Sequence, residues 1–91
     1  MASLAYIQER MVKLNNWALE MNSIVKEWNF NNFSEALIFV NKVAEIAIKM
    51  DHQPDILFSG NVVRLTLTTH SERGLTDKDF NEAEEIDKIT I

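Results

Sequence analysis

Residues 32–55 read NFSEALIFVNKVAEIAIKMDHQPD, and the reading of this stretch decides the fold. Asn32 followed by Glu35 is a helix start signal, because a capping box at that spacing can satisfy two orphan backbone donors. Phe33, Ala36, Leu37, Val40, Val43, Ala44, Ala47 and Met50 then hold one apolar stripe for about five turns. A stripe of this kind is more often core than cofactor pocket. Pro54 ensures that the helix has stopped, since the residue before a proline is pushed out of helical geometry.

Outward from this helix the period changes. Toward the start of the chain, Trp17, Leu19 and Met21, then Ile24, Trp28 and Phe30, follow the two-residue period of strands, with Asn22-Ser23 as the turn of a hairpin. Before them Leu4, Ile7, Met11 and Leu14 suggest a short amphipathic helix. Toward the other end, Ile56, Leu57 and Phe58 run into the turn-like Ser59-Gly60-Asn61. Val63, Leu65 and Leu67 follow, alternating with Arg64, Thr66 and Thr68 as a half-buried strand, which makes a second hairpin. Thr76, with Asp79 three residues on, opens a last helix through Phe80, Ala83 and Ile86. The order is α-β-β-α-β-β-α. It predicts a two-layer α+β fold, a four-stranded antiparallel sheet with helices on one face, in a single domain over residues 1–91. Trp17 and Trp28 are expected in the core or on a sheet face.

Composition narrows the function classes. The chain has no cysteine, which excludes disulfides, thiolate metal sites and a cysteine nucleophile. With only two histidines, a zinc site would need carboxylates gathered by the fold, so no metal is expected. From Glu72 to Lys88 there are seven acids and three bases, −4 of the total charge of −5. An acidic helix face repels phosphate and no basic stripe lies elsewhere, so direct nucleic-acid binding is disfavoured. The longest apolar run, Ala36 to Val40, is far short of a membrane span, and Glu9, Arg10 and Lys13 do not fit a signal peptide. A soluble, cytoplasmic protein is expected.

Both histidines, His52 and His70, stand at edges of regular elements, sixteen residues separating Pro54 from His70. Imidazole exchanges protons near neutral pH, so the pair can form an acid/base site. Two half-exposed histidines at loop boundaries are the bland alternative. Asp79 also has two readings. A carboxylate at the third position of a helix stabilises its N-terminus by about 0.3–1 kcal/mol without any catalytic role.

The run Trp28-Asn29-Phe30, Phe33, Ala36, Phe39-Val40, Val43-Ala44 and Ala47 leads into Asp51-His52-Gln53-Pro54-Asp55. With Leu65-Thr66-Leu67-Thr68-Thr69-His70 and Gly74-Leu75-Thr76-Asp77-Lys78-Asp79, it resembles the pterin-4a-carbinolamine dehydratases from about Leu14 to Ile89. The resemblance implies dehydration of a 4a-hydroxytetrahydropterin to a quinonoid dihydropterin, with no metal and no redox cofactor. It implies His52 and His70 as catalytic residues, and Asp51, Gln53, Pro54, Thr69 and Asp79 as substrate-binding positions. Three departures stand out. Gln53 occupies a position where the family usually has His; it can hydrogen-bond a pterin edge but cannot transfer a proton. Ile48 stands where the family tends to carry an acid. Gly60 stands where an aromatic residue is common, so part of a pocket wall is expected to be missing or supplied elsewhere. These departures motivate an alternative, a pterin-binding or regulatory dimerisation module with weakened chemistry.

Assembly follows from the sheet. An exposed edge invites pairing, and the strand with Val62, Val63, Leu65 and Leu67 carries little blocking charge beyond Arg64. Members of the resembled family form dimers, some pairing again into tetramers through helices. A homodimer or homotetramer is therefore expected.

Overall fold

A computed structural model describes residues 2–91. Its elements are α1 (Leu4–Met11), β1 (Ala18–Glu20), β2 (Ser23–Asn29), α2 (Phe33–Met50), β3 (Asp55–Ser59), β4 (Val62–Leu67), one 3-10 turn (His70–Glu72) and α3 (Asp77–Asp87). The strands form one antiparallel sheet in the order β1-β2-β4-β3. This is the predicted α-β-β-α-β-β-α fold. The α2 connection carries the chain past the first hairpin, so β4 pairs with β2 and β3 becomes an edge. The strand expected at an edge, with Val63, Leu65 and Leu67, is therefore central.

The boundaries of α2 form as its sequence demands. Asn32 Oδ1 accepts the Glu35 N–H at 2.9 Å as expected, but the Glu35 carboxylate accepts from the Asn31 N–H at 3.2 Å, one residue before the cap, so the capping box is not closed on Asn32 itself. Its end is tighter. Asp51 takes a left-handed conformation (φ 52°), and the His52 N–H returns to the Ala47 carbonyl at 3.1 Å. That bond over five residues is the Schellman closure of a helix, and it anchors the backbone of His52 to the end of α2.

The core lies between the sheet and the helices. Ile24, Val63, Leu65 and Leu67 meet Ala36, Phe39 and Val43 of α2 and Phe80, Ala83 and Ile86 of α3. Phe39 packs 4.6 Å from Trp28 and 5.0 Å from Phe30, and Trp17 meets Trp28 edge-on at 5.7 Å. The inward face of α2 is thus rotated from the predicted stripe. Phe39 is buried, whereas Phe33 is 57% exposed and stacks on Phe58 of β3 at 5.0 Å. Leu37 is exposed as well. In the first hairpin the turn falls one residue earlier than expected, at Met21-Asn22, because Glu20 pairs with Ser23. Met21 takes φ 54° in that turn and is 95% exposed; Leu19 is also exposed. Only Trp17 of that alternation reaches the core.

Several acids of α3 turn inward or pair with neighbouring elements. Asp87 accepts from Trp17 Nε1 and Lys26 Nζ, each at 2.9 Å, and from the Asn15 N–H at 3.0 Å. Arg10 of α1 binds Asp77, Asn81 and Glu84 at 2.8–3.1 Å, with its guanidinium 5.2 Å from the centre of the Phe80 ring. Asp79 and Glu82 are buried outright. The helix α1 has no buried residue, so this polar clasp together with Ile7 and Met11 holds it. No helix among the described residues is long and apolar enough to cross a membrane.

Truncating the side chain that joins the aromatic cluster tests this packing. Phe39→Ala is expected to cost about 3–5 kcal/mol, the usual range for a buried Phe. It should lower the urea midpoint with little change in slope; a loss under about 1 kcal/mol would mean that the cluster does not carry the core.

Candidate active site

Two loops and one helix start converge at one end of the sheet. The first loop follows α2 and carries Asp51, His52, Gln53 and Pro54; the second follows β4 and carries Thr68, Thr69 and His70. The second is closed by the pairing of Thr69 with Gly74, whose N–H and carbonyl both bond Thr69. Arg73 turns left-handed (φ 55°) to bring the chain back to Thr76, the cap of α3.

Asp79 joins these parts. It is fully buried. Its Oδ2 accepts the Thr76 N–H at 2.9 Å, completing the predicted capping box, and the Thr69 hydroxyl at 2.8 Å. Its Oδ1 lies 2.6 Å from His52 Nε2. The helix-capping and site readings of Asp79 therefore coexist in one carboxylate: one oxygen is shared by cap and loop, and the other holds the imidazole. The Nε2 contact assigns the ring hydrogen to that nitrogen in the neutral imidazole and leaves Nδ1 as the acceptor.

Above this joint lies an open cleft of about 470 Å³, within the range of small-molecule sites. Asp51, His52, Gln53, Pro54, Thr69 and His70 all line it, so every predicted site residue is at the cleft except Asp79. Asp79 lies beneath, reached through His52 and Thr69. His70 is exposed at the start of the 3-10 turn, whereas the His52 side chain is only 11% exposed. Asp55, Thr68, Ser71 and Lys78 complete the wall, and none of the four is among the site residues expected from the sequence. Lys78 precedes Asp79 in the first turn of α3, so the cap that places one places the other.

Two departures acquire structural meaning here. Gly60 lies in the β3–β4 turn with φ +60° and does not line the cleft. The length of β3, Asp55 to Ser59, separates it from Asp55, about 16 Å of strand. The glycine serves a turn that needs positive φ, and the wall of this cleft is built from other residues. Ile48 is 78% exposed on α2, so it leaves no gap beneath the cleft.

Sequence reasoning missed Glu82. It is fully buried on α3, and neither carboxylate oxygen has a hydrogen-bond partner among the described residues. Burial pushes its pKa up to about 7; His52 opposes the rise and Asp79 adds to it. The signal was present in the spacing, since Asp79, Glu82, Ala83 and Ile86 recur as one inward helical stripe. Among the described residues no group of three or more His, Cys, Asp and Glu is arranged to hold a metal ion.

The position of Glu82 has a stability consequence. Its carboxyl titrates at the ordinary 4.5 when unfolded and at about 7 when folded. Between these values the folded chain holds the extra proton, so its contribution to stability is lost as pH rises through that window. At about 1.36 kcal/mol per pH unit the loss amounts to about 3 kcal/mol above neutrality. Glu82→Met fills similar space without charge. Its unfolding free energy relative to the parent should grow by about 3 kcal/mol between about pH 4 and about pH 8, read by urea titration. A difference that stays constant with pH would return Glu82 to an ordinary carboxylate.

Comparison with known proteins bears on the family and the fold. The family model described as pterin 4 alpha carbinolamine dehydratase matches residues 2–89. A protein of Sulfolobus acidocaldarius, provisionally named pterin-4-alpha-carbinolamine dehydratase, is 45% identical over 91% of this chain and 91% of its own. One of Chloroflexus aurantiacus with the same provisional name is 46% identical over 96% of this chain and 94% of its own. The crystal structure of a transcriptional coactivator/pterin dehydratase from Brucella melitensis matches with a TM-score of 0.89 at 31% identity, covering 93% of each chain. A pterin dehydratase-like protein identified as a RuBisCO assembly factor in the alpha-carboxysome shares the fold, with a TM-score of 0.65 at 16% identity over 79% of this chain. Nearly the whole chain is matched by the family model and by these relatives, and it belongs to the pterin-4a-carbinolamine dehydratase family.

Proposed function

We propose that the cleft binds a 4a-hydroxytetrahydropterin and eliminates water from it, giving a quinonoid dihydropterin. The observation that carries this reading is the contact between His52 and the buried Asp79, on a cleft that His70 also lines. The elimination breaks the C4a–O and N5–H bonds, forms a C4a=N5 double bond and releases one water. It needs one proton delivered to the departing hydroxyl and one taken from N5, so it leaves the enzyme's proton count unchanged. His52 suits the second task. With its Nε2–H given to Asp79, Nδ1 holds the lone pair, and the imidazolium formed on proton uptake lies against a carboxylate. Exposed His70 exchanges with water and suits delivery to the hydroxyl. Asp51, Gln53, Pro54 and Thr69 frame the substrate, and the Gln53 amide can both donate to and accept from a pterin edge.

One observation favours a second reading. Gln53, exposed at the cleft, cannot move a proton, which fits a pterin-binding or regulatory module with weakened turnover. A synthetic 4a-carbinolamine separates the two. His52→Ala and His70→Ala should each lose about a hundredfold or more of turnover while retaining the far-ultraviolet circular dichroism of the fold. Full activity in both variants would remove the histidines from the chemistry. Measurable pterin binding by the parent with no acceleration of dehydration would select the module.

The same reading includes a soluble, cytoplasmic, single-domain homodimer, or a tetramer built from such dimers, that does not bind nucleic acid directly. The edge strand β3 supports the assembly, because Ile56 and Leu57 are exposed on it and Asp55 is its one charge. Two β3 edges paired about a two-fold axis would satisfy each other's backbone groups. Light scattering should return at least twice the chain mass of 10.5 kDa at micromolar concentration; the chain mass itself would rule the dimer out.

A further inference from the structure

We propose that Glu82 is a positioning residue of this site, a buried carboxyl one turn along α3 from the Asp79 that holds His52, whose charge state sets how firmly that imidazole holds its proton. The inference rests on the reading of His52 as a proton-transfer group. Its footing is geometric. Glu82 stands three residues after Asp79 on the inward stripe of α3, fully buried, with both oxygens unpartnered among the described residues. No structural task is left for it. Thr76 and Asp79 cap the helix, Arg10 clasps α1 through Asp77 and Glu84, and Asp87 ties the far end to Trp17 and Lys26. An apolar residue would fill the same space without the desolvation that a buried carboxyl suffers.

The groups acting on Glu82 are few. His52, from the loop after α2, favours its ionised form, and Asp79, one turn back, disfavours it. The buried residues of α2 are Ala36, Phe39, Val43 and Ala47, none of them titratable. The buried residues of β4 are Val63, Leu65 and Leu67. Lys26 is committed to Asp87, five residues further along α3, and Arg10 to Asp77 and Glu84. Glu82 therefore answers to the same imidazole that Asp79 holds. When Glu82 is neutral, His52 is balanced by one carboxylate; when it ionises, two negative groups favour the imidazolium. Such coupling is reciprocal, so whatever His52 does to the Glu82 charge, Glu82 does in equal measure to the His52 proton.

Carbon-13 carboxyl resonances of the full chain, labelled at glutamate, read the coupling without any assay of turnover. The signal lost in Glu82→Gln identifies Glu82. Its midpoint should lie at about 7 in the parent and move higher in His52→Gln, which removes the imidazole that opposes the rise. A midpoint in the ordinary carboxylate range, or one unmoved by His52→Gln, would overturn the proposal. The pH dependence of carbinolamine dehydration supplies the second readout. In Glu82→Gln the acid limb of kcat should move to lower pH by roughly tenfold in proton concentration, since a neutral amide no longer favours the imidazolium. Glu82→Met should move it the same way if the Gln variant folds poorly, and a limb that superimposes on the parent's would overturn the proposal. Coupled titration in a parent that does not dehydrate the carbinolamine would support the role of Glu82 while removing the dehydratase reading.

Discussion

The carboxylate of Asp79 is the joint on which the site depends. A buried carboxylate is costly unless hydrogen bonds replace its lost water, and Asp79 is fully buried with three partners from three different parts of the chain. The Thr76 N–H comes from the start of α3, the Thr69 hydroxyl from the loop after β4, and the imidazole from the loop after α2. Removing any one would leave a buried acceptor under-satisfied, so each holds the others in place. The placement at a helix N-terminus adds a favourable dipole for negative charge. One side chain thus serves as helix cap, loop clamp and support for the His52 imidazole.

The rest of α3 shows how a short helix carries so much negative charge. Asp77 and Glu84 share Arg10, Asp87 pairs with Lys26 and Glu85 with Lys88. These partners come from α1, from β2 and from the end of α3 itself, so the acids of the helix tie it to its neighbours. Glu82 alone is buried with no partner among the described residues. Real folds break local consistency at sites where function requires it, and Glu82 breaks it beside the one histidine that is itself mostly buried.

Much of this arrangement was legible in the chain. The Asn32 and Thr76 caps, Pro54 after α2, and the alternation of Val63, Leu65 and Leu67 each report a local physical preference, and each element formed where it was read. The errors have physical causes. The predicted α2 stripe ran through Phe33 and Leu37 because periodicity on an apolar helix does not say which of two adjacent stripes faces the sheet; the packing of Phe39 against Trp28 and Phe30 decided it. The first hairpin slipped by one residue because Met21 supplies positive φ without being glycine. The central place of β4 is not legible locally, because strand order depends on how α2 crosses the sheet, which no local pattern encodes.

By itself, the sequence determined the elements, the two-layer class and the residue types able to move protons, since capping, periodicity and imidazole chemistry are properties of neighbours along the chain. Only the tertiary structure decided that His52 reaches Asp79 across 27 positions, that Gly60 stands away from the cleft, and that Glu82 is buried without a hydrogen-bond partner. Those outcomes depend on which faces the sheet and helices turn toward one another. Burial, and with it the cost of a charge, is a property of that packing rather than of the residue.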